Sequence, residues 1–317
     1  MEKFFKVAER GSNPAQEFRA GITTFLAMAY IIAVNPALLA AAGVPISAAI
    51  TATCLGGGIM TILMGLFSNR PLACASGMGV NAVVAFSLTP ITGGDWHASM
   101  AVIFIEGVAI LLLVLCGLRE AIMDAIPVNL RHAISVGLGL FIALIGLKNS
   151  GIIIADKSTL VALGDIFSPT FIVGVISIVA TVVLYSARVK GSLLIGIILA
   201  VLAGIPLGVT ASPTGIVSGL DFSTFGAPFL TDGAGVMGIV KALTTPVLLV
   251  FAFSLMMSDF FDTMGSAMAI AKQGDFLTED GNVKDIKQIL IVDSAAAAAG
   301  GFFGASSITT FIESASG

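Results

Sequence analysis

From Gly21 to Gly304 the chain is a succession of apolar stretches, most of them near the roughly 20 residues a helix needs to cross a bilayer, and its charges collect in the short runs between them. That alternation constrains the fold more than any other feature. Backbone N–H and C=O groups find no water in a hydrocarbon core, so each stretch must satisfy them internally, which makes it a helix. Composition agrees: 57% of residues are hydrophobic and 11% charged, mean hydropathy is +1.05, and a soluble domain would carry about 25% charge. A soluble domain and a large extramembrane domain are both excluded. The basic residues form no nucleic-acid footprint. The first twenty residues, with Lys3, Lys6, Arg10 and Arg19, are too polar for a cleavable signal peptide. Cys54, Cys74, Cys116, His97 and His132 have neither metal-ligand spacing nor a disulfide pattern, so no metal or cofactor is expected.

Hydropathy and Gly/Pro punctuation place spans at Gly21–Gly43, Ile46–Phe67, Leu72–Pro90, Ala98–Gly117, Val128–Leu147, Pro169–Val189, Ser192–Gly208, Leu243–Ala271 and Ile289–Gly304, with a tenth beginning near Ala305 and cut off at Gly317. Cytoplasmic loops are enriched in Lys and Arg. With the N-terminus inside, twelve of the 15 basic residues fall on the cytoplasmic side, and only Lys148, Lys157 and Lys241 on the other. Two connections are longer than hairpins: Thr210 to Val240, expected outside, and the charged Lys272 to Gln288, expected in the cytoplasm. Arg119 to Pro127 is too short to span and reads as an interfacial helix.

Three segments break the pattern. The third span, Ala73 to Pro90, is short, opens on small residues and carries Asn81. Non-helical backbone at membrane depth is tolerated only inside protein or along a cavity, and transporters use such broken helices to aim half-helix ends at a ligand; close packing through small residues is the alternative. The eighth span places Asp259 and Asp262 one turn apart, with no Lys or Arg in the interior of a span to pair with them, Arg131 and Arg188 lying at span ends. A carboxylate there costs roughly 2.5–3.5 kcal/mol on insertion scales and marks an ion or substrate path. The start of the tenth, Ala305-Ser306 ahead of Glu313, echoes Ala75-Ser76 ahead of Asn81, as a seven-helix repeat would require. Glu106 and Asp293 are single acids in apolar helices, read as helix-to-helix hydrogen-bonding residues in preference to proton-path residues. Thr23, Thr24 and Asn35 are read as bonding to their own helix backbone.

The stretches AGITTFLAMAYIIAVNP (Ala20–Pro36), ASGMGVNAVVAF (Ala75–Phe86), SDFFDTMGSAMAIA (Ser258–Ala271) and SSITTFIESASG (Ser306–Gly317) together resemble the signature segments of nucleobase:cation symporters, in the adenine/guanine/hypoxanthine permease branch. The resemblance implies an all-α polytopic membrane protein of fourteen helices in two inverted seven-helix repeats, with core and gate domains and short strands in broken helices 3 and 10. The present chain would then be truncated within helix 10. It implies a cytoplasmic segment 1–20, core helices 1–4 over 21–117, gate helices 5–7 over 118–208, an extracytoplasmic loop 209–242 and core helices 8–10 over 243–317. It further implies no enzyme but a multi-pass transporter of the cytoplasmic membrane that imports purine by proton symport and alternating access, with a homodimer possible and sodium the less favoured coupling ion. By the same resemblance the purine would meet Asp262, Glu313 and Asn81 and main-chain groups around Gly79, Val80, Phe311 and Ile312. The proton carrier would come from Glu313, Asp262 and Asp259. Two other readings stay open: an anion transporter of the same architecture, which should show a cation near Asn81, Asp262 or Glu313, and an intramembrane hydrolase, whose two aspartates should come from different helices.

Overall fold

The computed structural model describes residues 2–118, 136–137, 140, 143–144, 146–156, 158–189, 191–210, 219–231, 235–279 and 283–317. The chain divides into two compact units: one of 1–24, 31–135 and 219–317, the other of 25–30 and 136–218.

The first unit holds α1 (Pro14–Met28) as far as Thr24, then α2 (Ile31–Ala41) and α3 (Ile46–Ser68), a three-residue strand β1 (Cys74–Ser76) and a shorter helix α4 (Met78–Ile91). Midway, over Val84–Leu88, α4 widens to π geometry, and the Thr89 hydroxyl donates to the Val84 carbonyl at 2.8 Å across the widened turn. Helix α5 (Trp96–Leu115) starts on an Asp95 cap whose carboxylate accepts from the N–H groups of His97 and Ala98. This first turn is tied from outside by Lys241, which donates to Asp95 Oδ2 at 2.9 Å and to the Thr92 carbonyl at 3.0 Å.

The second unit holds a hairpin, β2 (Ile153–Asp156) with β3 (Leu160–Leu163), and two helices, α6 (Pro169–Ser186) and α7 (Ser192–Gly204). The hairpin was not foreseen. It lies in an extramembrane connection, where Asp156 accepts hydrogen bonds from the backbone and hydroxyl of Thr159 and from the Ser158 N–H. The backbone bond from Thr159 is the largest of the effects that hold this exposed carboxyl below its usual range. Exposed Val, Ile and Leu side chains cover α6 and α7, as expected for helices whose solvent is lipid.

The first unit resumes with α8 (Gly238–Thr244), α9 (Pro246–Gln273), α10 (Ile286–Phe303), a second three-residue strand β4 (Ile308–Thr310) and a final 3₁₀ turn, Ile312–Ser316. Glycine sets how closely α5 and α10 cross. A Cβ on Gly107 would sit 2.6 Å from the Ala298 Cα, and one on Gly301 2.6 Å from the Phe104 N.

Among the described residues six helices are long and apolar enough to cross a membrane: Pro14–Ala41, Ile46–Ser68, Trp96–Leu115, Pro169–Ser186, Pro246–Gln273 and Ile286–Phe303. The chain is a multi-pass membrane protein. The third span is broken, as expected, into the strand β1 followed by the helix α4, and the expected first span turns at Ala29–Tyr30. The expected fifth span falls largely, and the expected interfacial helix after Arg119 entirely, outside the described residues. The expected outer loop is not free. Its residues 219–231 are tied to helix ends: Ser47 donates to Asp221 Oδ2 at 2.6 Å, Thr224 donates to the Phe303 carbonyl at 2.8 Å, and Gly226 donates to the Phe302 carbonyl at 2.8 Å.

Candidate functional site at a strand crossing

Two short strands inside a helical membrane protein leave backbone groups that must be satisfied without water. β1 and β4 pair antiparallel, Cys74 with Thr310, Ala75 with Thr309 and Ser76 with Ile308. The Gly77 N–H extends the ladder at one end by donating to the Ser307 carbonyl at 2.8 Å. The Phe311 N–H extends it at the other by donating to the Ala73 carbonyl at 2.9 Å. The pair has a local two-fold centred on Ala75 and Thr309. The helical turns that follow each strand therefore leave from opposite ends of the ladder.

Bare helix faces make room for it. A Cβ on Gly57 of α3 would press on the Cys74 carbonyl at 3.2 Å, one on Gly56 would meet the Ile308 side chain at 2.7 Å, and one on Gly300 of α10 would lie 2.8 Å from the Ile308 N. The outer edges of both strands are closed by side chains. On the β1 side the Thr61 hydroxyl accepts from the Cys74 N–H at 2.9 Å and donates to the Cys74 carbonyl at 3.1 Å. On the β4 side Asp293, fully buried on α10, accepts from the Thr310 N–H at 2.8 Å and the Thr310 hydroxyl at 2.6 Å on Oδ1, and from the Thr263 hydroxyl at 2.6 Å on Oδ2; Thr309 adds a longer bond at 3.2 Å. One carboxylate thus pins the strand to two helices. Asp293 does bond between helices, as expected, but its main load is the strand.

The acids of α9 part company. Three residues turn a helix by about 60° less than a full circle, enough to bury Asp259 while leaving Asp262 on a face that the unit leaves open. Thr263, on the buried side, donates back to the Asp259 carbonyl at 3.0 Å, and Ser307 points its hydroxyl at Asp259 Oδ1 at 3.5 Å. Asp262 lies within electrostatic reach of Asp293 and Glu313, so the structure brings Asp262 and Glu313 together beside β4. The residue after Phe311, Ile312, turns its side chain outward, whereas Phe311, Gly79 and Val80 are buried. The Phe311 N–H is already used in the ladder. The first N–H groups of α4, at Met78, Gly79 and Val80, have no carbonyl a turn earlier within their own helix.

Asn81 lies deeper than a residue lining an open face. It is fully buried, and its amide donates to Asn35 Oδ1 at 2.5 Å. Asn35 in turn donates to the Thr53 hydroxyl at 2.8 Å and the Ala305 carbonyl at 3.1 Å. This corrects the reading of Asn35 as bonding to its own helix: a buried amide with four hydrogen-bonding sites finds partners on α3, on α4 and on the approach to β4. Thr23 does bond within its helix, to Arg19, at 3.0 Å. Glu106 departs from expectation altogether. It is 1% exposed on α5, and among the described residues neither carboxyl oxygen has a hydrogen-bond partner.

Sequence reasoning passed over Thr61, and gave Asp293, Asn35 and Glu106 lesser roles. The signal in each case was a lone polar residue in an apolar helix, and a helix-periodic reading cannot say which neighbour such a residue meets.

Compared with known proteins, residues 15–317 match the family model described as Permease family. A Methanocaldococcus jannaschii protein named as a permease is 39% identical over all of this chain and 71% of its own length. The adenine permease AdeP of Escherichia coli is 34% identical over all of this chain and 69% of its own. The guanine/hypoxanthine permease PbuO of Bacillus subtilis is 36% identical over 99% of this chain and 72% of its own.

Proposed function

The chain belongs to the Permease family, and from that premise we propose that it imports purine nucleobases across the cell membrane by proton symport and alternating access. It is a transporter and not an enzyme. The observation that carries the substrate reading is the pairing of Asp262 and Glu313 beside the β1–β4 crossing. Purine N–H groups donate to carboxylates, while the ring nitrogens accept from main-chain N–H groups. The open start of α4 around Gly79 and Val80, and the turn after Phe311 at Ile312, supply such groups from the two ends of the ladder. Asn81 acts from behind, through Asn35, by holding the start of α4 against the approach to β4. Among the carboxylates beside the crossing, Glu313, Asp262 and Asp259 are the proton-coupling candidates.

In this reading residues 21–117 and 243–317 form the core that holds the purine, and 118–208 belong to a gate against which it moves as a rigid body. Residues 209–242 are the extracytoplasmic loop, and the N-terminus is cytoplasmic.

The test is uptake of radiolabelled adenine, hypoxanthine, guanine and uracil by cells expressing the protein, with Asp262→Ala and Glu313→Ala at matched membrane abundance. Purine uptake that both substitutions abolish is the expected result. Absence of purine uptake, or uptake indifferent to both changes, overturns the site.

A further inference from the structure

Among the described residues of the first unit, Glu106 is the buried acid that the purine site does not use and that no hydrogen bond explains. Its helix, α5, packs closely on α10 at Gly107 and also lies against α9, so the side chain sits between three helices at 1% exposure with both oxygens unpartnered. An acid buried to serve structure is hydrogen-bonded, as Asp293 is; one left bare costs several kcal/mol in charged form.

The buried carboxyl of Asp259 on α9 lies within electrostatic reach of it. Farther round are Asp262 on α9 and Asp293 on α10. The cations of those helices, Lys272 and Lys287, lie toward their ends, Lys272 thirteen positions or about 20 Å along α9 from Asp259. On its own helix, Asp95 and His97 sit at the first turn, more than two turns away. Two buried carboxyls that interact electrostatically take up and release protons as a unit and not one by one.

We propose that Glu106 is a proton-carrying residue of the transport cycle, paired with Asp259 and separate from the carboxylates that hold the purine. The proton enters and leaves through the open face of α9, where Asp262 stands one turn from Asp259. An O–H bond of hydronium breaks on one side of the membrane as one forms on the Glu106–Asp259 pair, and on the other side that bond breaks as water takes the proton up. Ser307 is the link to the substrate: its hydroxyl faces Asp259 and its carbonyl accepts from Gly77 at the head of α4. A change of charge on the pair is therefore felt at the strand crossing.

This rests on the proton-symport reading, and the experiment separates the two. The protein is reconstituted into vesicles loaded with a pH-sensitive dye, and purine exchange, purine accumulation and proton influx are measured for wild type, Glu106→Gln and Glu106→Asp. At one proton per purine, a pH difference of one unit supports about tenfold accumulation. Wild type and E106D reach it with proton influx; E106Q exchanges purine but neither accumulates it nor admits protons. Should E106Q accumulate purine with normal proton influx, the inference falls and the symport reading stands. Should wild type move purine without protons, both fall. Loss of exchange and accumulation together in folded E106Q and E106D also overturns it, since it makes Glu106 a binding or packing residue. Where E106Q does not fold, infrared difference spectra on purine addition decide: a protonated-carboxyl band that shifts in E106D supports the inference, and one that does not shift overturns it.

Discussion

Asp293 and Glu106 are both acids buried in apolar helices, and α10 and α5, which carry them, pack against each other, yet their surroundings differ completely. Asp293 accepts four hydrogen bonds from three threonines; Glu106 accepts none from the described residues. A carboxylate that accepts four hydrogen bonds is fixed in position, because moving it would break bonds that hold a strand. A carboxyl with none can change charge without dismantling anything. Burial alone therefore does not separate a structural acid from a working one, whereas the count of partners does.

The largest effect should come from the engaged acid. Asp293→Ala leaves the Thr310 N–H and hydroxyl without their acceptor and unties Thr263 and Thr309 from α10, and should cost on the order of 3–5 kcal/mol, read as loss of the folded, monodisperse protein in detergent. A variant that folds with an unchanged thermal midpoint would break the contrast. Next, Thr61→Val bares both backbone groups of Cys74 at the other edge of the crossing and should cost about 2 kcal/mol in denaturant titration, with purine affinity falling alongside.

Glu106→Met should move the opposite way. Replacing an unpartnered buried carboxyl by an apolar side chain of similar volume should stabilise by about 1 kcal/mol or more, seen as a raised thermal midpoint while accumulation is lost. Destabilisation would show that Glu106 is as engaged as Asp293. The smallest effect belongs to a third acid, the half-buried Asp221, whose hydrogen bond from Ser47 is the chief cause holding its carboxyl below the usual range. A depressed pKa stabilises above the unfolded value, near 3.9 for Asp, and that stabilisation is lost as pH falls through the folded value. Ser47→Ala should therefore lower the thermal midpoint slightly at neutral pH, and the two proteins should converge in acid.

Much of the fold was legible because the physics is local. Apolar length located helices such as Ile46–Ser68 and Pro169–Ser186 within a few residues. Small residues ahead of Asn81 in the third segment, and ahead of Glu313 in the tenth, located both interruptions, now seen as β1 and β4. What the sequence did not disclose depends on distant pairs. Nothing near Thr61 announces that it will serve as a strand edge. Asn35 looks like Thr23 until Ala305 and Asn81 arrive beside it. Glu106 and Asp293 read alike because each was judged by its own helix. The hairpin Ile153–Leu163 escaped because a search for spans discards short extended segments.

The strand crossing also dictates an order of assembly. β1 finds its ladder partner in a segment made roughly 230 residues later, and contacts of that separation form late because the loop they close must first be ordered. Until then the extended backbone around Cys74 depends on Thr61, thirteen positions back and already synthesised. During biogenesis the third segment is thus parked against α3, half satisfied, and the proposed substrate site comes into being only when β4 docks.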